Sequence, residues 1–317
     1  MKILVTGASG FIGSHAIVGL AQKGYFVTGL LRGCGIPDRV ERLLKADSIQ
    51  PSSKFLSDAV NFVHCDLLDY RSLKNIFSSE KIDCVVNLAA YAVQSEERNP
   101  TFAYKINCEA AKLLAQLASE FRCKHFVHFG TSKEYGDMEG IVTEAHVTKP
   151  SCLYGKSKLE GGLAVRAACS DGNIPLSYLR LFNTYGPLEN KNKFFPSVFE
   201  ILQSGIAIKL SGGFQYKDFL YVSDVVNAID CVIKRKKIGS FELMNLACGE
   251  AFTLREYAKM ITDLFGFDYD ILPWAEDNRP DLSCKKFEVN LQKTINTLNW
   301  SPRVSLAEGL KITGSFK

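Results

Sequence analysis

No apolar run in this chain of 317 residues is long enough to cross a bilayer, although apolar residues make up 46% of it. A membrane-spanning helix is not expected. The opening apolar stretch breaks at Thr6-Gly7, and Lys2 is a meagre basic flank, so a secretory leader is not expected either. The ten cysteines include no Cys-x-x-Cys pair. They are scattered singly, often inside predicted strands or helices (Cys84, Cys108, Cys231), and read as reduced thiols in a chain too long to need covalent staples. Histidine is scarce. His125 and His128 stand three apart in a predicted strand, point to opposite faces and cannot chelate one ion together, so no metal is expected. An excess of one charge is also missing, the formal net charge being +4. The one basic run, Lys234-Arg235-Lys236-Lys237, follows apolar Val226, Ile229 and Ile233 and reads as the polar end of a helix rather than a nucleic-acid patch. Neither an internal repeat nor a low-complexity tract occurs. These absences leave a soluble cytoplasmic protein with a sizeable core and a small-molecule partner, without nucleic acid or membrane.

Short apolar segments alternate with amphipathic ones through the first half. Lys2 to Thr6, Phe26 to Leu31, Ala59 to His64, Cys84 to Leu88, His125 to Thr131 and Leu176 to Phe182 read as buried strands. Phe11 to Gln22, Tyr70 to Phe77 and Thr101 to Phe121 read as helices between them. Such alternation predicts an α/β fold with a doubly wound parallel sheet. Beyond Asn183 the alternation lapses into turn-rich stretches, with helices near Pro196 to Gln203, Asp224 to Lys234 and Leu254 to Phe265. The expected organisation is a dinucleotide-binding domain over residues 1–183 and a smaller α/β substrate lobe over 184–317, with the chain crossing between them.

Two segments carry chemistry. Between the first strand and first helix stands Thr6-Gly7-Ala8-Ser9-Gly10-Phe11-Ile12-Gly13. In that position Gly7 permits a tight turn, Gly10 lets the backbone approach a pyrophosphate, and Gly13 lets the helix pack closely, while the helix start receives the phosphate charge. The other segment is Tyr154-Gly155-Lys156-Ser157-Lys158. Residues four apart share a helix face, so Tyr154 and Lys158 project together. A phenol with a pKa of about 10 is a poor base at neutral pH, but an adjacent ammonium favours the phenolate and makes it a usable acid and base. Alone, each segment has an ordinary explanation, a structural glycine turn or a surface helix; together they predict a hydride-transfer enzyme.

Further residues appear in a fixed order with these two: Asp66-Leu67, Leu88-Ala89-Ala90, Asn107, Thr131 before Tyr135-Gly136, Arg180 to Pro187, Gln215 to Val222 and Leu298 to Pro302. The whole set resembles the extended short-chain dehydrogenase/reductase family, and within it the nucleotide-sugar epimerase/dehydratase branch. The resemblance implies a Rossmann-type fold, a homodimer and a nucleotide-sugar substrate. It implies that Tyr154 is the general acid/base, that Lys158 holds the nicotinamide ribose, and that Thr131 bonds the reacting sugar oxygen. Gly7, Ser9, Gly10, Phe11, Ile12 and Gly13 would take the pyrophosphate, Asp66 and Leu67 the adenine, and Leu88, Ala89, Ala90 and Asn107 would line the cofactor cleft. Asn183, Lys193, Phe194, Leu210, Lys217 and Arg279 would contact the sugar nucleotide.

Two departures from that branch bear on the reaction. Its dehydratases carry an acidic residue two positions before the tyrosine of the Tyr-Gly pair; here Ser132 and Lys133 occupy the stretch after Thr131, and an ammonium cannot accept a proton. Dehydratase activity is therefore not expected. Lys217 stands where arginine is usual, exchanging a bidentate fork for a point charge on the diphosphate. At the end of the second strand, Gly29-Leu30-Leu31-Arg32 offers a cation and no acid to the adenosine ribose, which favours NADP over NAD. NADP in turn suggests net reduction. The sequence thus predicts a reductase delivering hydride to C4 of a nucleotide-linked 4-keto-6-deoxy sugar, with a nucleotide-sugar 4-epimerase as the alternative and a non-catalytic dinucleotide sensor behind both.

Overall fold

Strands buried on both faces need apolar side chains in succession, and Ile3, Leu4 and Val5, or Cys84, Val85 and Val86, supply them at 0% exposure. A computed structural model describes residues 1–33, 35–46, 58–91, 99–206, 208–276 and 285–316. Its strands are β1 (Lys2–Thr6), β2 (Phe26–Leu31), β3 (Val60–His64), β4 (Cys84–Asn87), β5 (His125–Thr131), β6 (Gly140–Val142), β7 (Leu176–Leu181), β8 (Asn183–Tyr185), β9 (Tyr216–Lys217), β10 (Phe219–Tyr221), β11 (Phe241–Leu246), β12 (Phe252–Thr253) and β13 (Phe287–Val289). The helices are α1 (Phe11–Gln22), α2 (Asp38–Lys45), α3 (Tyr70–Ser79), α4 (Pro100–Tyr104), α5 (Ala111–Glu120), α6 (Leu153–Asp171), α7 (Phe194–Ser204), α8 (Val222–Lys234), α9 (Leu254–Phe265), α10 (Gln292–Leu298) and α11 (Leu306–Ser315).

Seven strands form one parallel sheet in the order β11-β7-β5-β4-β1-β2-β3. Alternate residues of β1 feed opposite layers, as a period of two requires. Ile3 and Val5 pack with Ile17 and Leu20 of α1 and with Val225 and Ile229 of α8, whereas Leu4 packs with Leu73 of α3, Leu114 of α5 and Val165 of α6. The order reverses direction between β1 and β4, and at such a switch point a crevice opens beyond the carboxyl ends of the strands.

A second, aromatic core gathers Tyr185, Phe195, Phe199, Tyr221 and Tyr257 around α7, α9 and α11. Short pairs serve it: β8 with β10 in parallel and β9 with β12 antiparallel. Between these pieces the chain returns to the main sheet, where β11 forms its edge beside β7 and α8 lies on α1, so close that a Cβ at Gly19 would stand 2.6 Å from Val226 Cγ1.

The boundaries differ from expectation in a few places. Ala59, Leu88 and Phe182 lie just outside their strands, and the helix near Pro196 begins earlier, at Phe194. The single helix expected over Thr101 to Phe121 is three segments, α4, a π-helical stretch Lys105–Ala110, and α5. Apolar spacing does not register a one-residue slip in hydrogen bonding.

Candidate active site

The site begins where β1 turns into α1. Gly7 has φ +68°, and a Cβ there would lie 2.9 Å from Ala89 N; a Cβ at Gly13 would lie 2.0 Å from Gly7 O. Both positions thus require glycine. Gly10 is the N-cap of α1, no side chain caps it and the first turn holds no acid. The positive end of this helix therefore has no cap and no acid of its own first turn, and Ser9 and Gly10 are exposed with Phe11 and Ile12 half-buried beside them. Such a cleared, uncapped turn fits the pyrophosphate of a dinucleotide.

Opposite stands the loop that leaves β4. Leu88, Ala89 and Ala90 are half-buried; Ala89 N donates to Thr6 Oγ1 (3.2 Å), which itself donates to Asn87 Oδ1 (2.7 Å). Asn107 sits in the π-helical stretch and holds this wall. Its Oδ1 accepts from Tyr91 N (2.8 Å), and its Nδ2 donates to Tyr91 O and to Ser157 Oγ (both 2.9 Å). Its amide is spent inside the protein, so its service to the cleft runs through the backbone it braces. At the far end, Arg32 is exposed just past β2. Asp66 Oδ1 accepts from Leu68 N (2.9 Å) in a turn; Asp69, not Asp66, caps α3. Leu67 is buried.

Thr131 ends β5, where a 3-10 turn (Ser132–Glu134) follows at once. Its Oγ1 accepts from Lys133 N (3.3 Å), which leaves the hydroxyl proton to be donated outward. Helix α6 lies against this turn, a Cβ at Gly155 being only 2.4 Å from Lys133 O. Tyr154 is half-buried on the first turn of α6, and Lys158 is 2% exposed one turn on. Burial pushes the Lys158 ammonium down to about 8, and Glu134 opposes that fall. The structure thus brings Thr131, Tyr154 and Lys158 to the end of the sheet at which the glycine turn also lies.

Substrate candidates collect on the strands and loops beyond β7. Asn183 donates from Nδ2 to Asp218 O (3.1 Å), Lys193 is the N-cap of α7 with Phe194 next to it, and both are half-buried. Leu210 bridges to Trp274 in parallel register and is buried; Lys217, half-buried, lies on β9. Arg279 lies outside the described residues.

Three residues of this neighbourhood escape a reading by motif. Glu134 is buried and bonded to Thr131 N, Tyr178 and Arg180. Arg39 reaches from α2 to Ser9 O (3.2 Å), to Leu188 O (2.9 Å) and to Asn190 Oδ1, tying the glycine turn to the loop before α7. Asp218 is buried and accepts from Cys248 N and Gly249 N (both 2.7 Å), while burial raises its pKa to about 7. Two of them had a usable sign: Glu134 stands beside Tyr135-Gly136, and Asp218 falls inside the Gln215 to Val222 motif, which gave no hint of its role. As for the two histidines of β5, His128 meets Asn87 and His125 meets Ser177.

Residues 3–247 match the family described as NAD dependent epimerase/dehydratase. The dTDP-D-glucose 4,6-dehydratase of Bos taurus is 28% identical over 98% of this chain and 87% of its own length. Among solved structures, the UDP-glucose 4-epimerase of Thermotoga maritima with UDP-glucose superposes at a TM-score of 0.84 and 25% identity, covering 100% of this chain and 98% of that one. The UDP-glucuronic acid 4-epimerase of Bacillus cereus in complex with NAD does so at 0.81 and 27% identity, covering 100% and 96%.

Proposed function

The chain belongs to the NAD dependent epimerase/dehydratase family, and from that premise we propose that it is a nicotinamide-dependent oxidoreductase acting at C4 of a nucleotide-linked sugar, a 4-keto-6-deoxy sugar that it reduces. One observation carries this reading. Thr131, Tyr154 and Lys158 assemble a site for moving one proton, while Glu134, the acid of the turn after Thr131, has its oxygens turned inward on Thr131 N, Tyr178 and Arg180. Elimination of water asks for a carboxyl beside the phenol, and neither Ser132 nor Lys133 supplies one. Among the described residues, Thr131, Ser132 and Lys133 put no carboxyl beside Tyr154 as a second proton carrier for water elimination, and oxidoreduction does not need one.

When bound, the nicotinamide supplies the two electrons and the hydrogen exchanged at C4. Gly7, Ser9 and Gly10 to Gly13 would hold its pyrophosphate, Asp66 and Leu67 the adenine, and Leu88 to Ala90, braced by Asn107, the middle of the cleft. Lys158 would hold the ribose and favour the Tyr154 phenolate through its charge. The Tyr154 phenol gives its proton to the C4 oxygen as the carbonyl is reduced, while the Thr131 hydroxyl bonds that oxygen. Asn183, Lys193, Phe194, Leu210 and Lys217 would hold the nucleotide diphosphate and sugar, with Arg279 as a further contact.

Arg32 supports NADP, being exposed at the end of β2 with no acid in Gly29-Leu30-Leu31. A guanidinium pairs bidentately with a 2'-phosphate, a contact worth roughly 1.5–3 kcal/mol or about ten- to a hundredfold. Arg32→Ala should weaken NADPH binding by that order and spare NADH; equal affinities of the wild type for the two would remove the preference. A second reading, the 4-epimerase, is favoured by the relatives that carry that activity in their names, one of them with NAD. Incubation with a panel of sugar nucleotides and their 4-keto forms, with NADH or NADPH, separates the two: consumption of reduced cofactor means reduction, isomer formation without it means epimerisation. The same reading includes a homodimer through α5 and α6, tested by light scattering at micromolar concentration, and a cytoplasmic location, for which the free cysteines speak.

A further inference from the structure

Behind the face of α6 that carries Lys158 lies a carboxylate whose placement the motifs do not explain. Glu134 is 0% exposed. Its Oε1 accepts from Thr131 N (2.9 Å) and from the Tyr178 hydroxyl (2.8 Å), and its Oε2 meets Arg180 Nε (2.7 Å). Glycines clear the space it uses. A Cβ at Gly130 would stand 2.5 Å from Glu134 Oε1, and a Cβ at Gly162 would stand 2.1 Å from the Tyr178 hydroxyl.

Gly155, Lys158 and Gly162 fall on one face of α6, being three and then four residues apart. Gly155 abuts the turn that contains Glu134, and Gly162 abuts the phenol bonded to it. Lys158, between them, therefore faces this cluster. An ammonium 2% exposed is disfavoured unless an opposite charge stands near.

We propose that Glu134 is a positioning residue for the C4 chemistry: it fixes Thr131 through the backbone, and its charge keeps the buried Lys158 ammonium protonated. The second half agrees with the opposition of burial and Glu134 at Lys158, where Glu134 is the raising influence. Among the described residues, the other titratable groups on that side of Lys158 are Tyr154 on its own helix, His128 of β5, and Tyr178 and Arg180 of β7, none of them a carboxyl. The helices on the opposite side bring Tyr104 and Cys108 toward Glu160 instead, and Lys112 and Glu120 of α5 are exposed. Arg180 pairs with the carboxylate through Oε2 (2.7 Å), and its guanidinium also lies over the Tyr135 ring at 4.6 Å.

The role in catalysis rests on the function proposed above, but the charge can be read without substrate. In protein labelled with ¹³C at the lysine ε-carbon, the Lys158 resonance is the one lost in Lys158→Arg, and its titration gives the ammonium midpoint. Glu134→Gln should lower that midpoint by about one pH unit or more, and Glu134→Asp, which keeps the charge, should leave it within a few tenths. An unmoved midpoint in Glu134→Gln, or equal falls in both variants, overturns the proposal. A wild-type midpoint below about 6 overturns it with no variant needed, should Glu134→Gln fail to fold. With a turned-over sugar nucleotide in hand, the alkaline limb of kcat/KM should move with the midpoint in Glu134→Gln. Glu134→Asp, pulled back from Thr131, should lose about ten- to a hundredfold in kcat, and full kcat would refute the grip on Thr131. If the wild type turns over none of the panel, the proposed function fails while the lysine titration still judges Glu134.

Discussion

Proton transfer at neutral pH asks a phenol to change protonation state, and at the residue scale everything in the site bears on that. On the proposed mechanism Tyr154→Phe removes only the carrier, so turnover should fall by about 10²–10⁴-fold while cofactor affinity stays within about threefold of wild type, as titration by fluorescence would report. Near-normal turnover in the folded variant would refute the role of Tyr154. Thr131, Tyr154 and Lys158 are legible in the sequence because a strand end and one helix turn fix them locally. Glu134 is not, since its partners Tyr178 and Arg180 lie 44 and 46 residues away and only the pairing of β5 with β7 brings them together. Asn107 is half legible: its place is recognisable, but its hydrogen bonds to Tyr91 and Ser157 are tertiary.

Among the elements, α6 is held by contacts in which glycine replaces side chains. Gly161 faces the π-helical stretch, and a Cβ there would lie 1.8 Å from Asn107 O, a backbone atom that cannot swing aside. That carbonyl belongs to the π-helical stretch, and Ser157, one turn before Gly161, accepts from the Asn107 side chain. Gly161→Ala should therefore cost about 1–3 kcal/mol by overpacking, seen as a lower midpoint in denaturant, and should weaken the cofactor along with it because Asn107 braces the Leu88 to Tyr91 wall. A variant as stable as wild type would show that the two elements part without penalty. The sheet strands and most helices are legible as periods of two and 3.6, with ends displaced by a residue or two where caps decide. The π slip and the strands β8, β9 and β10, of three, two and three residues, are not, because so few residues carry no period of their own.

Across the whole molecule, the seam between the sheet and the aromatic core is closed by the loop from Gly186 to Asn190. His15 Nε2 donates to Pro187 O (2.9 Å), its pKa lowered by burial to about 4, and Arg39 bonds Leu188 O. Behind this loop a cavity of about 180 Å³ is lined by Arg42, Leu188, Glu189, Phe199, Thr313 and Phe316, from segments far apart in the chain. No pattern in the sequence announces such a meeting. Glu189 Oε2 is buried there without a partner, and burial raises the carboxyl to about 8, opposed by Lys193. In the unfolded chain a glutamate releases its proton at about 4.3. Between those values the folded form holds a proton that the unfolded form has lost, so stability present at acid pH declines as pH rises toward 8. Asp218, raised by burial to about 7, contributes a decline of the same sign that ends at lower pH. Glu189→Gln keeps the shape and removes the ionisation. Its melting temperature should match wild type near pH 4.5 and exceed it by a few degrees at pH 8.5, for a gain on the order of 1–3 kcal/mol. Asp218 is untouched by the substitution, so part of the downward slope should remain. Melting curves of the two proteins that run parallel from pH 4.5 to 8.5 would mean that Glu189 ionises as readily in the fold as out of it, and that the seam tolerates the charge.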